Sequence, residues 1–326
     1  MSQSRVTSAM TEPPASIFPR LRAGDLTTDL DIAAGELRQL LDLADRVKRQ
    51  PGRFRQALSG RILSLLFEKP SLRTRMTFEV AAKQLGGDAI LNTGPVGGRE
   101  PVEDVARNLE RWTDLIVART FSQETVDALA RHARIPVVNA LSDLYHPCQA
   151  LADMQTLREQ WGEWRGHKLA FVGDGNNVAH SLMLDSARLG LDFTCITPPG
   201  YEPRAEIVAK AREFAVETGA LIEVTNDIGQ GLKGAGAVYT DVWASMGFEH
   251  EAAERARIFA AYQVNRELMS LALPGAFFMH CLPAHREEEV TAEVIESPVS
   301  LVFEQAENRL HAQKALLLML LDGPAH

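Results

Sequence analysis

Arginines and hydroxyls crowd one short stretch of this sequence: Ser71, Leu72, Arg73, Thr74 and Arg75. The apolar run 62–67 before it has the length of a buried strand. Pro70 and Ser71 interrupt that run. From Thr74 onward Met76, Phe78, Val80 and Ala81 recur at helical spacing beside Arg75, Glu79 and Lys83. The stretch therefore reads as strand, turn, helix. The first turn of a helix offers unpaired N–H groups and a partial positive charge. Arg73 and Arg75 beside it make a site shaped for a phosphate. The plainer alternative is a helix cap with solvated arginines; the strand before it and the helix after it favour the anion site.

Other groups fall at similar places. Arg119 follows the apolar run 115–118, at the carboxyl end of a strand, where open α/β sheets place ligands; a surface ion pair is the alternative. In His146-Pro147-Cys148-Gln149, Pro147 suits the first helical position. His146 and Gln149 then flank a helix start as donors able to hold a carbonyl oxygen while charge develops on it. Asp241 follows the run 237–239 and suits a substrate ammonium, or simply caps a helix. His280, Cys281 and His285 follow the run 276–279 and invite a zinc reading. They supply only three candidate ligands without a fourth nearby, so no metal site is expected.

The elements that must position these groups alternate between strand and helix. A helix is expected over 26–48, with Leu37, Leu40, Leu41, Leu43 and Ala44 on its apolar face. Strands are expected at 62–67, 89–91, 115–118 and 135–139, and helices from 74 to Gly86-Gly87, over 102–112 and from Pro147. The alternation restarts near Gly166, with strands at 169–172, 192–197, 221–224, 237–239 and 276–279 and a last helix at 304–321. Gly173-Asp174-Gly175-Asn176-Asn177 mimics a dinucleotide-binding turn. Val178 holds the third glycine position, however, and the next strand ends without an acidic residue for a ribose. The fold class expected is α/β, in two domains with parallel sheets.

The 326 residues, 45% hydrophobic and 24% charged with a net charge of −9, suit a globular protein of about two domains and argue against a nucleic-acid or anionic-membrane partner. Cys148, Cys195 and Cys281 are an odd number without C-x-x-C spacing, which fits a reducing, cytoplasmic location. No apolar run is long enough for a membrane span. Residues 1–20 are rich in Ser, Thr and Pro, lack an apolar signal core, and are expected to be a flexible extension.

Taken together, Ser71-Leu72-Arg73-Thr74-Arg75, His146-Pro147-Cys148-Gln149, Asp241-Val242-Trp243-Ala244-Ser245-Met246-Gly247 and His280-Cys281-Leu282-Pro283 give the chain a family resemblance. It resembles the carbamoyltransferases, and within them the ornithine carbamoyltransferases, over nearly everything after about Leu21. The first two motifs are shared with aspartate carbamoyltransferases; the last two point to ornithine.

The resemblance implies two α/β domains joined by helices, with the active site in the cleft between them. These are a carbamoyl phosphate-binding domain at 21–150, onto which a helix at 304–326 packs back, and an ornithine-binding domain at 151–303. It also implies a homotrimer, or a multiple of one, with interfacial sites and a loop near Gly98-Arg99-Glu100 donated to a neighbour. By position, Ser71, Leu72 through its backbone, Arg73 and Thr74 would hold the phosphate. Arg119 would bind the phosphate and the carbonyl, with His146 and Gln149 on the carbamoyl end. Asn177, Asp241, Ser245 and Met246 would hold the amino-acid end of ornithine. Cys281 and Leu282 would close over the reacting centre, and Arg309 would reach it from the last helix.

The implied reaction carries the carbamoyl group of carbamoyl phosphate to the δ-amine of L-ornithine, giving L-citrulline and phosphate in arginine biosynthesis, without a cofactor. The expected preference among acceptors is ornithine, then N-acyl-ornithine, then putrescine, then aspartate, because Asp241 suits an ammonium and Asn177 a carboxylate. A dinucleotide-dependent oxidoreductase is the alternative from another class. Leu72 departs from the family pattern, which has threonine there. The lost hydroxyl predicts weaker carbamoyl phosphate binding or a compensating contact, a missing hydrogen bond to a charged group costing roughly 1.5–3 kcal/mol.

Overall fold

The computed structural model describes residues 18–244 and 249–321. The first half of the chain runs α1 (Ala34–Arg49), β1 (Ile62–Phe67), α2 (Arg73–Gln84), β2 (Asp88–Thr93), α3 (Val102–Leu109), β3 (Leu115–Arg119), α4 (Gln123–His132), β4 (Val137–Leu141) and α5 (Pro147–Trp161). The second runs β5 (Lys168–Val172), α6 (Asn177–Leu189), β6 (Asp192–Ile196), α7 (Ala205–Thr218), β7 (Ile222–Thr225), α8 (Ile228–Leu232), β8 (Ala237–Thr240), α9 (Ala252–Ile258), α10 (Arg266–Met269), β9 (Phe277–His280), α11 (Ala292–Ile295) and α12 (Val302–Leu321).

Strands that alternate with helices must pair in parallel, since each helix carries the chain back to the same sheet edge. Two sheets result, ordered β2-β1-β3-β4 and β7-β6-β5-β8-β9, with every pairing parallel. Both faces of the first sheet are covered, which explains why β1 is apolar apart from Ser64. Leu63, Leu65 and Phe67 enter one core, and Leu66 enters another with Ile116, Val126 and Leu129.

The strand order reverses once in each sheet. In the first sheet the chain passes from β1 to β2, then crosses to β3 on the other side of β1. In the second it passes outward from β5 to β6 and β7, then returns to β8 beside β5. Ligands of open parallel sheets bind at the carboxyl ends of strands flanking such a reversal. Those ends lead into residues 68–74 and Arg119 in the first sheet, and into residues 173–177 and Asp241 in the second.

Helix α12 packs against α1, α2 and α5 and also reaches β9. Its Leu316, Leu317 and Leu318 are fully buried, each stabilising the fold by about 2 kcal/mol. Such an enclosed helix carries its polar residues, Gln305 and Arg309 among them, into the interior. No helix among the described residues is long and apolar enough to cross a membrane.

Three expectations need correction. The helix expected from residue 26 begins at Ala34. Leu26 instead bridges Val138 as an extension of the first sheet, its N–H donating to Val137 O at 2.9 Å. The extension expected over 1–20 includes residues that are packed on the fold. Phe18 stacks on Phe54 at 5.9 Å, and Leu21 is buried with its N–H on Met319 O; residues 1–17 lie outside the described ones. Finally, Arg75 donates to Glu79 at 2.7 Å along the outside of α2 and does not line the cleft, so of this pair of arginines only Arg73 lines it.

Candidate active site

A cavity of about 790 Å3 opens between the two sheets, over both strand-order reversals. Ser71, Leu72, Arg73, Thr74, Arg119, His146, Gln149, Asn177, Asp241, Cys281, Leu282 and Arg309 all line it. Ser245 and Met246 lie outside the described residues. Gly98, Arg99 and Glu100 do not line the cleft of their own chain.

The first-domain wall is cationic. Leu72 sits at the N-cap of α2 without a side-chain cap, so no side chain of the cap occupies the first-turn N–H groups. Arg309 enters from α12 and holds two anchors: Nη1 donates to Gln149 Oε1 at 2.5 Å and Nη2 to Thr74 Oγ1 at 2.8 Å. Burial holds the Arg119 guanidinium down at about 10, helped by the nearby charges of Arg309 and Arg73. It therefore remains protonated at neutral pH. Burial likewise lowers Arg309 and Arg73. Three partly desolvated cations converging on one helix start can together hold a multiply charged anion.

His146 supplies the neutral counterpart. It is buried, and desolvation together with Arg309 and Arg119 pushes its imidazole well below the ordinary range. Its backbone N–H donates to Ser181 Oγ at 2.9 Å, and its Nδ1 is buried without a hydrogen-bond partner. A neutral imidazole beside three cations can only polarise an oxygen by hydrogen bonding, since it has no charge of its own to offer.

The second-domain wall is built on Asp241. Its Oδ2 accepts from Asn176 Nδ2 at 2.8 Å, and its Oδ1 accepts from Cys281 Sγ at 3.0 Å. Burial, and then the Asp241 charge, pushes the Cys281 thiol well above its ordinary range, so it stays protonated as a donor. Asn177 donates its amide to Ser142 O across the cleft at 2.7 Å.

His280 holds the loop after β9. One ring nitrogen, Nε2, bonds Glu289 Oε1 at 2.9 Å, and Nδ1 accepts from Leu282 N at 2.9 Å. Leu282 takes a φ of 57°, a left-handed conformation that this bond helps to hold. Asp241, His280 and Cys281 lie close enough together for an ion. Both nitrogens of His280 are already engaged, so this donor set does not fit a metal.

The turn after β5 is closed to a dinucleotide. Asn176 Oδ1 accepts from the N–H groups of Val178 and Ala179 at 3.0 and 3.1 Å, filling the helix start that would meet a pyrophosphate. Gly175 packs so tightly that a Cβ there would lie 2.2 Å from Pro203 N. The glycine serves this close approach of the chain.

Sequence reasoning missed Asp153, Gln305, Tyr239 and Glu289, which stand directly behind the lining residues. Asp153 follows Gln149 by one helical turn and Gln305 precedes Arg309 by one. A polar residue one turn from each candidate was the only signal present.

Models of two adjoining families match the chain: "Aspartate/ornithine carbamoyltransferase, carbamoyl-P binding domain" at residues 25–159 and "Aspartate/ornithine carbamoyltransferase, Asp/Orn binding domain" at 165–320. The chain belongs to the aspartate/ornithine carbamoyltransferase family. It is 49% identical over 306 residues to an ornithine carbamoyltransferase of Oceanobacillus iheyensis, covering 92% of this chain and 95% of the relative. It is 52% identical over 286 residues to that of Methanothermobacter thermautotrophicus, covering 86% and 94%. Among solved structures, the ornithine carbamoyltransferase from Pyrococcus furiosus is 46% identical with a TM-score of 0.89, covering 94% of this chain and 98% of that one.

Proposed function

We propose that this protein transfers the carbamoyl group of carbamoyl phosphate to the δ-amine of L-ornithine, giving L-citrulline and phosphate. The observation that carries the reading is one cleft with two unlike walls: Arg73, Arg119 and Arg309 around an open helix start, facing Asp241 and Cys281. Relatives named ornithine carbamoyltransferase at about half identity support the same reaction.

In this proposal the N–H groups at Leu72 and Arg73, the hydroxyls of Ser71 and Thr74, and the Arg73 guanidinium hold the phosphate. Arg119 and Arg309 bridge from it to the carbamoyl end, where His146 and Gln149 meet the carbamoyl group. Asn177 and Asp241, with Ser245 and Met246, take the amino-acid end of ornithine. The neutral δ-amine attacks the carbamoyl carbon. Negative charge gathers on the carbonyl oxygen, where Arg119 and His146 stabilise it. The carbon–oxygen bond to phosphate then breaks, its electron pair leaves on phosphate, and the nitrogen loses a proton. Cys281 and Leu282 cover the reacting centre, and the thiol orients Asp241.

N-acyl-ornithine is disfavoured because it lacks the ammonium that Asp241 suits, and putrescine because it lacks a carboxylate. Aspartate is disfavoured because the wall that would meet its second carboxylate carries Asp241. Met76 on α2 and Ile90 on edge strand β2 are exposed, which supports a trimer or a multiple of one with this side covered. A cytoplasmic location is supported by Cys148, Cys195 and Cys281 being free thiols. The test is citrulline formation by the purified chain from carbamoyl phosphate and ornithine. Its absence, with the chain folded, would overturn the proposal.

A further inference from the structure

Asp153 is fully buried on α5, one turn beyond Gln149, and does not itself line the cleft. Three donors converge on it. Its Oδ1 accepts from Gln149 Nε2 at 2.9 Å and from Gln305 Nε2 at 2.8 Å, and its Oδ2 accepts from Tyr239 Oη at 3.0 Å. Both glutamine amides share the one acceptor oxygen Oδ1, and the Tyr239 hydroxyl takes the other oxygen.

The consequence is directional. Each glutamine turns its NH2 toward Asp153, so each must turn its carbonyl oxygen away. Gln149 Oε1 then accepts from Arg309, which continues to Thr74 in the phosphate turn. Gln305 Oε1 accepts from the backbone N–H of His280 at 2.9 Å, beside Cys281. Tyr239 lies on β8, two residues before Asp241. The bonds thus run without a gap from Thr74, through Arg309, Gln149, Asp153 and Gln305, to the strand end that carries Cys281.

We propose that Asp153 is a positioning residue that sets which end of the Gln149 amide faces Arg309 and ties that pair to the strand ends bearing Asp241 and Cys281. This rests on the carbamoyl-transfer reading above and names a device within it. Asp153 touches no substrate. It acts by fixing the polarity of two carboxamides, one on each side of the reacting centre.

A carboxylate in this place is a poor choice for stability alone. Burial pushes its pKa up to about 7, against the lowering effect of its three hydrogen bonds and of Arg309. The titratable and charged groups around it are Tyr239 from β8, Arg309 from α12, Cys281 after β9 and Asp185 from α6. An isosteric amide would avoid the buried charge. Asp153→Asn keeps the acceptor for both glutamines without the buried charge, so Asp153→Leu, which removes the acceptor, is the variant that separates positioning from packing.

The experiment compares wild type, Asp153→Asn, Asp153→Leu and Gln305→Leu in full-length protein. Its readouts are citrulline kinetics at pH 8, inorganic phosphate affinity by calorimetry, and Tm. Asp153→Leu should lose at least 100-fold in kcat, whereas Asp153→Asn, whose Oδ1 still accepts from both glutamines, should stay within threefold, with phosphate Kd within threefold of wild type in both. Asp153→Asn should keep a Tm at pH 8 no lower than wild type. Gln305→Leu, which cuts only the branch to His280, should raise the ornithine KM about tenfold and leave the carbamoyl phosphate KM within threefold. A folded Asp153→Leu with kcat within threefold of wild type would overturn the proposal. So would a 100-fold loss of kcat in a folded Asp153→Asn, which keeps the acceptor for both glutamines; this decides the matter if the leucine variant does not fold. Wild-type turnover is the control: its absence overturns the carbamoyl-transfer reading itself, whereas active wild type with an indifferent Asp153→Leu overturns only the role of Asp153.

Discussion

Cys281 Sγ donates to Asp241 Oδ1 at 3.0 Å, joining the chain just beyond β8 to the chain just beyond β9 on one wall of the cleft. The bond fixes the carboxylate that is to meet a substrate ammonium. Asp241→Asn keeps the shape and removes the charge. It should raise the ornithine KM about 100-fold, the equivalent of losing one charge-assisted interaction of roughly 2–3 kcal/mol. The carbamoyl phosphate KM should stay within threefold, and steady-state kinetics with each substrate varied in turn would check both. Equal increases for the two substrates would refute the assignment.

The pH profile should report the amine. An amine with a lysine-like pKa of about 10.4 must lose its proton to attack, which costs about 4–5 kcal/mol at pH 7. Raising the pH increases the neutral fraction, so kcat/KM for ornithine should climb about tenfold per pH unit above pH 7. His146 should add no limb of its own, because burial and its cationic neighbours keep it neutral throughout that range. A flat profile from pH 6 to 9 would contradict this.

Leu72 offers a gain-of-affinity test. Leu72 is 73% exposed at the start of α2, so replacing it gives up little burial within the chain. Leu72→Thr should restore a donor to the phosphate turn and lower the carbamoyl phosphate KM about tenfold, near the low end of a hydrogen bond to a charged group at ~1.5 kcal/mol. An unchanged KM would show that another group already fills the place.

His180 links the halves of the fold. Its Nδ1 bonds Leu144 O at 2.9 Å and its Nε2 accepts from Arg204 N at 3.1 Å, so it is neutral with the proton on Nδ1. Burial lowers it from 6.5 to about 4. A depressed folded pKa gives stability that is present above the unfolded pKa and is lost as pH falls toward the folded one. Between pH 6.5 and 4 the wild type should therefore lose up to about 3 kcal/mol that His180→Gln does not lose. Urea unfolding of both proteins at pH 7 and pH 4.5 measures the difference.

What was legible in the sequence was local. The turn at residues 71–74 announced itself because strand, breaker and helix signals lie within a dozen residues, and His146 and Gln149 because Pro147 marks a helix start. Leu26 misled because an apolar residue ahead of a helix reads as its first turn. Its actual partner is Val138, far along the chain, and no local periodicity reports a pairing of that kind. Asp153 stayed hidden for the same reason: Tyr239 and Gln305 stand 86 and 152 residues away from it. Arg75 looked equal to Arg73 by type, and only the rotation of α2 gives it to Glu79.

The most direct measurement is kcat/KM for ornithine, N-acetylornithine, putrescine and aspartate, each with saturating carbamoyl phosphate. Ornithine should exceed N-acetylornithine by at least 100-fold, putrescine should be weaker still, and aspartate should give no detectable product. Turnover favouring N-acetylornithine or putrescine would contradict the role of Asp241 and the ornithine reading, while leaving the phosphate turn and its three arginines in place.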